Sequence, residues 1–394
     1  MEMRALRSDE LEQAWSLGSE AFNAPVEREA LFLERSRAED FTGIFDGARL
    51  VAQAQAHPFQ QFFGGRSVSM GGVASVATAP DQRGRGLGRR VMRGCLEAMR
   101  ERGDAISTLF PATLRFYRSL GWEVAGSLVH RSLEPTALQG IEKPEGVRVR
   151  KARDDDAPGL RGCYQRLAAS SNGFLDRSEW WWSRIFEAWK TRRLYVAEND
   201  AGVVDGYVSY RQVDGEYSDL GGDFEIRVGE LIATTPDASR ALWRLLGSWA
   251  PQVERILYQG PFDDPLLLLV TEQNTRVLAE GRWVTRLVNA RAAIESRGYP
   301  AAVDAEVHLR LCDEILGDND GDFVLRVVGG EAVLEPGGKG EISLDVGAAT
   351  ALYTGASSCA ALARAGRLQG GSSAAWQSLD AVFAAASPWM PDEF

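Results

Sequence analysis

The sequence predicts a mixed α/β protein of three consecutive units, two sharing one strand–helix order and a third of α+β type. Three observations carry this. A strand, a glycine-rich turn and an amphipathic helix succeed one another over residues 72–99. Beyond a linker at residues 142–146 (E-K-P-E-G) the strand–helix order starts again, without the glycine-rich turn. From about Arg286 the order changes to strands separated by Gly-rich turns, followed by helices. The expected boundaries are 1–146, 147–285 and 286–394. A chain of 394 residues is too long for one ordinary core and suits two or three.

Each element has a local reason. Ser8 is the expected N-cap of a helix whose apolar face is Leu11, Ala14, Trp15, Ala21 and Phe22. Residues 41–45, 50–56 and 67–78 read as strands, with Gly64-Gly65 as a hairpin turn. A helix starts near Gly86 and carries the stripe Val91, Met92, Cys95, Leu96 and Met99. A strand over 105–110 stops at Pro111. A short helix then holds Phe116, Tyr117 and Leu120, and Gly121 ends it before a strand from Trp122. In the second unit 147–150, 193–197, 203–212 and 225–234 read as strands and 238–249 as a helix; Asp154-Asp155-Asp156 reads as a solvated helix start. Trp180-Trp181-Trp182 reads as core or interface packing. In the tail, strands at 307–311, 323–328, 331–334 and 341–345 precede helices at 346–354, 356–365 and 373–383.

Composition excludes several classes. Lys plus Arg is 44 against 55 Asp plus Glu, a net charge of −11, which argues against nucleic acid as a partner and suits a cationic amine. Cys95, Cys163, Cys312 and Cys359 are far apart, as are His57, His130 and His308, so neither a disulfide framework nor a metal site is expected. From the start Met1-Glu2-Met3-Arg4 a cytoplasmic protein is expected, and the longest aliphatic run, residues 266–270, is too short to span a membrane.

Chemistry concentrates between residues 72 and 122. The strand over 72–78 runs through Ala79-Pro80-Asp81-Gln82 into Arg83-Gly84-Arg85-Gly86-Leu87-Gly88 and a helix N-terminus. Unpaired N–H groups at such a terminus point at an anion, and glycines let a pyrophosphate approach. Arg83, Arg85, Arg89 and Arg90 add positive charge. No Lys-Ser/Thr follows the last glycine, so this is no Walker loop, and the spacing is not that of a dinucleotide fingerprint.

The pattern R-x-x-G-x-G after V-x-T-x-P resembles the acetyl-CoA pyrophosphate loop of the GNAT superfamily, and Phe116-Tyr117-Arg118-Ser119-Leu120-Gly121-Trp122 resembles its later F-Y-x-x-x-G-[FYW] motif. The resemblance implies acetyl-CoA held by Arg83, Gly84, Arg85, Gly86, Leu87, Gly88 and Arg89, with Val76, Ala77 and Thr78 exposing backbone groups to its acetyl end and Ala112 and Thr113 close by. It makes Tyr117 the acid for the departing sulfur; a phenol with a pKa near ~10 keeps its proton at neutral pH. Over its whole length the chain resembles the Eis family, which has two GNAT-like units and a sterol-carrier-like tail. The segments that carry this are Val228-Gly229-Glu230-Leu231, Arg286-Leu287-Val288-Asn289, Leu352-Tyr353-Thr354-Gly355-Ala356 and the terminal Glu393-Phe394.

The family resemblance implies a hexamer, a polycationic acceptor such as an aminoglycoside, and a base supplied by the terminal carboxylate, here Phe394. It places Asp392 and Glu393 near the substrate, to attract ammonium groups. Ala112-Thr113 replace a Ser-Glu of the family and Ser75 replaces an aromatic, which leaves the acceptor open. A protein lysine acetyltransferase and a lipid- or CoA-binding protein using the tail are the other expectations. No CoA is expected on the second unit.

Overall fold

The computed structural model describes residues 1–214, 224–272 and 274–394. The first unit contributes strands β1 (Glu2–Ala5), β2 (Phe41–Asp46), β3 (Arg49–Phe63), β4 (Arg66–Thr78), β5 (Ile106–Leu109) and β6 (Glu123–Leu133) and helices α1 (Leu11–Phe22), α2 (Glu29–Arg35), α3 (Leu87–Arg102) and α4 (Leu114–Arg118). The second contributes β7 (Val147–Lys151), β8 (Arg193–Asn199), β9 (Val204–Asp214), β10 (Phe224–Ala233), β11 (Val253–Gly260) and β12 (Thr275–Leu287), with α5 (Ala157–Ala169), α6 (Glu179–Trp189) and α7 (Pro236–Gly247).

These twelve strands make one sheet, in the order β1-β2-β3-β4-β5-β12-β6-β11-β10-β9-β8-β7. Strand β12, although last in the second unit's sequence, lies between β5 and β6 of the first, with Leu287 opposite Ile106 and Trp283 beside Gly126. Its first half is mostly exposed and its last five residues, Trp283 to Leu287, are buried. The first unit's sheet is therefore completed by chain from beyond residue 274.

Both units carry the same irregularity. The β3–β4 register slips between Gln53 and Gln55, opposite the Ser75 region, and Ser75 has φ +52°. The β9–β10 register slips between Val228 and Glu230. Parallel pairing of β4 with β5 ends at Gly72–Thr108, and that of β10 with β11 ends at Arg227–Leu257. The two units thus repeat a bulge and a splay. They differ at the following helix, because α3 starts from the left-handed Gly86 whereas α7 starts with Pro236 under a Thr235 side-chain cap.

The tail holds β13 (Ala305–Cys312), β14 (Gly321–Val328), β15 (Glu331–Pro336), β16 (Ile342–Asp345) and β17 (Leu368–Gly370), in the order β15-β14-β13-β16-β17, with α8 (Ala290–Ser296), α9 (Val346–Thr354), α10 (Cys359–Arg364) and α11 (Ser373–Val382). Every residue of α9 except Ala349 is buried, which makes it a core helix. Arg286, fully buried on β12, fastens the tail to the first unit: it donates to Leu120 O at 2.7 Å and to both oxygens of Asp313 at 2.8 and 3.0 Å.

Several expectations shift. Ser8 opens a single 3-10 turn instead of capping α1, and Glu10 beside it is tied to Arg4. Strand β3 continues through Pro58 to Phe63, because Pro58 is exposed and neighbouring strands hold the rest. Asp156 is not solvated; Arg150 holds its carboxylate with contacts of 2.7 and 2.8 Å. The expected 356–365 helix begins only at Cys359, after Ser358 has capped it.

Replacing Asp313 by alanine strands the buried Arg286 guanidinium. The expected outcome in urea denaturation is a loss of about 3–5 kcal/mol, part of which the double change Arg286→Met, Asp313→Leu restores.

Candidate active site

On one face of the sheet, the strand–turn–helix motif builds an anion cradle. Asp81 anchors the turn by a two-point contact with Arg49, both bonds 2.8 Å. Gly84 and Gly86 sit at φ +77° and +76°, and a Cβ on either would meet open space. They leave room for a ligand against the backbone, and the first N–H groups of α3 lack intrahelical partners. Leu87 is buried and pins the helix start, while Arg83, Arg85 and Arg89 are exposed around it. Arg89 donates to Ser119 O at 2.6 Å, which locks the start of α3 to the end of α4. Gly88 lies beside Phe116 and Thr78. Beyond Gly72 the β4 edge has no β5 partner, so backbone groups of Val76, Ala77 and Thr78 border the opening. Ala112 and Thr113 are exposed in the connection to α4.

Tyr117 stands behind this cradle, edge-on to Phe116 and Trp122 at ring separations of 5.1 and 6.1 Å. Burial, with a smaller contribution from Cys95, pushes its phenol up to about 12. Its hydroxyl makes no hydrogen bond to any described residue, so its proton is free to donate. Cys95 is buried and also pushed up to about 12, which removes it as a nucleophile.

The other face is aromatic and contains the chain end. The Phe394 ring lies 5.0 Å from Phe59, 6.0 Å from Phe110 and 6.5 Å from Trp181. A Cβ on Gly72 would come 2.9 Å from Phe394 Cε2 and 2.5 Å from Phe59 Cδ2, so the terminal ring rests on the backbone where β4 and β5 part. The tail reaches this place by threading past the sheet, with Trp389 N bonded to Asn172 O and the Trp389 ring edge-on to Phe174. Asp392 holds it there. Its carboxylate accepts from Arg177 Nε at 3.0 Å, Trp181 Nε1 at 2.7 Å and Tyr164 Oη at 3.1 Å. Burial alone would lower the Arg177 pKa; Asp392 and Glu230 outweigh it and hold the guanidinium charged.

Asp392 and Glu393, expected near the substrate, sit in different surroundings. Asp392 is consumed by the Arg177 clamp, and the next side chain along the extended tail points elsewhere, to an outer cavity with Arg192, Arg211 and Arg227. His57, opposite Gly72 in register, is buried against Trp180, and burial together with Arg184, Arg37 and Arg102 lowers its pKa to about 3. It stays neutral and is a poor base.

Family comparisons agree with this geometry. Residues 2–125 and 173–287 each match an acetyltransferase (GNAT) domain, and 290–391 match a sterol carrier protein domain. An uncharacterized N-acetyltransferase of Streptomyces griseus is 30% identical over 93% of this chain and 92% of its own. The N-acetyltransferase Eis of Mycobacterium tuberculosis is 30% identical over 80% of this chain and 78% of its own. The chain belongs to the Eis family of GNAT N-acetyltransferases. A GCN5-related N-acetyltransferase of Anabaena variabilis superposes over the full length of both chains with a TM-score of 0.92 at 27% identity.

Gly88 lies beside Thr78 and Phe116, which joins the 83–89 turn to the 76–78 edge and to the helix of Tyr117, while Phe394 rests on Gly72 of the same strand. Sequence inspection missed the second unit's share. Trp181 walls in Phe394, Trp180 covers His57, and Arg177 anchors the tail; a Trp triplet three residues after an arginine was the visible signal. Among the described residues no group of His, Cys, Asp and Glu is arranged to hold a metal, and no helix is long and apolar enough to cross a membrane.

Gly72→Ala tests the seat of Phe394. With no room for the methyl group, the ring is displaced; kcat should fall by about a hundredfold while KM for acetyl-CoA stays within about twofold, as steady-state kinetics would show.

Proposed function

We propose that this N-acetyltransferase transfers the acetyl group of acetyl-CoA to a small-molecule amine by direct attack at the β4–β5 opening. The observation that carries it is the terminal Phe394 ring seated on Gly72, where β4 and β5 part, with the glycine turn beside Thr78 further along the same strand. Bound acetyl-CoA supplies the activated acyl group. Gly84, Gly86, Leu87, Gly88 and Arg89 offer backbone donors and charge to its pyrophosphate, and Arg83 and Arg85 add attraction. The edge at Val76, Ala77 and Thr78 offers backbone groups to the acetyl end. Phe394's carboxylate takes the amine proton, directly or through water. Tyr117, kept protonated by burial, gives its proton to the sulfur.

The lipid-binding alternative has little support. The cavity inside the tail, between Ile294, Leu309, Phe323 and Phe383, holds about 20 Å³, the size of a water. A lysine peptide would use the same opening and remains an outcome of the assay. An aminoglycoside is the polycation that the family resemblance implies, and it is tested alongside.

The experiment is CoA-thiol release from acetyl-CoA against aminoglycosides, diamines, amino acids and lysine peptides, with an untagged C-terminus. Removing Phe394 should lower kcat about a hundredfold, and Tyr117→Phe should lower kcat far more than it raises KM. The pH profile of kcat should show no loss of the acid below pH 10, since the phenol titrates at about 12. Turnover with no amine would overturn the proposal.

A further inference from the structure

Next to Phe394, on the same face of the sheet, lies a cavity of about 290 Å³ whose charges the transfer step does not use. His57 and Trp180 form its aromatic floor, and Phe59 packs against both His57 and the Phe394 ring. Arg35, Arg37 and Asp40 form the polar side. Asp40 is already committed, accepting from Arg37 at 3.0 and 3.2 Å, with Arg102 at 3.9 Å. Arg184 lies over both Trp180 and Trp181, 5.0 and 4.8 Å from the ring centres. Neither Arg35 nor Arg184 has a hydrogen bond or an ion pair with a described residue. Arg184 reaches the cavity only through the Trp180 ring that it covers, and burial, followed by the charge of Arg35, lowers its pKa. Glu187, a carboxylate within reach of Arg35's field, is bridged to Lys190.

A half-buried cation facing another cation is costly without a counter-ion. A carboxylate placed between two guanidinium forks offsets both and matches their geometry. A polycation entering the same cavity meets repulsion instead. The aromatic floor and the small volume favour a compact aromatic or apolar body. We infer that the acceptor is an aromatic or apolar amine bearing a carboxylate, its carboxylate held by Arg35 and Arg184 and its amine directed at Phe394. This rests on the acetyl-transfer reading of the cleft. The balance is simple: the neutral amine forms the amide N–C bond as the thioester C–S bond breaks, its proton goes to the Phe394 carboxylate, and CoA leaves as the thiol with the proton of Tyr117.

The test separates binding from turnover, using the full chain. Titration of 4-methylbenzoate and 4-methylbenzamide, followed by tryptophan fluorescence, should show at least about tenfold tighter binding of the acid. In the assay, 4-(aminomethyl)benzoate should exceed its carboxamide in kcat/KM by a similar factor and exceed an aminoglycoside. Arg184→Gln and Arg35→Gln should each cut the acid-to-amide ratio about tenfold, with Arg184→Lys restoring part of it. The ratio is internal to each variant, so partial unfolding does not imitate the effect. Equal binding of acid and amide, or a ratio unmoved in both glutamine variants, overturns the inference. Thiol release at equal rates from both amines leaves acetyl transfer standing and removes only the carboxylate requirement. Acid-selective binding without thiol release from any amine supports the anion site and removes the transfer reading.

Discussion

The acceptor side of this enzyme depends on one buried charge cluster. Arg177 lies between Asp392 of the terminal tail and Glu230 of β10, with Trp181 and Tyr164 donating to the same Asp392 carboxylate. Five chain segments meet there. A buried ion pair of this kind adds little net stability, but removing one partner leaves an uncompensated charge in the interior. Its effect is therefore to specify a single position for the last residues. A chain end is ordinarily frayed; here it is held two residues from its final carboxylate.

The second constraint is the path of β12. By lying between β5 and β6 it makes the two acetyltransferase-like units share one sheet, and through Arg286 it docks the sterol-carrier-like tail against α4. The candidate site is composite in consequence: the first unit holds the glycine turn and Tyr117, the second places Trp181 and Arg177 around the chain end, and the tail carries Phe394. The second unit keeps the bulge and the splay but starts α7 from proline and a threonine cap, so it has the frame of the cofactor cleft without its glycine cradle.

Charge behaves differently at the two scales. The chain carries −11 overall, which by itself favours cationic ligands. Around His57 the local balance is opposite, because Asp40 is taken up by Arg37 while Arg35 and Arg184 have no carboxylate of their own. Short-range, partly buried charges outweigh distant screened ones in selecting a ligand. Net charge thus does not describe the local field at this cavity, just as the acidic character of Asp392 does not make it a surface charge.

What the sequence determined by itself was local. The order V-x-T-x-P, R-x-x-G-x-G and an amphipathic helix specifies a strand, a left-handed turn and a helix start through interactions within a few residues, and Tyr117 follows at fixed spacing. The three-unit organisation was equally legible, from hydrophobic period and glycine punctuation, as was Cys95 on the apolar face of α3. Tertiary structure alone decided which strands neighbour each other, because β12 reads as an ordinary strand and nothing in its residues names β5 and β6 as partners. It alone decided that Asp392 is a structural anchor while Phe394, two residues on, rests its ring on Gly72. Those roles depend on groups more than two hundred residues distant, Arg177 and Trp181 for the one and Gly72 for the other, which only the folded chain brings within reach.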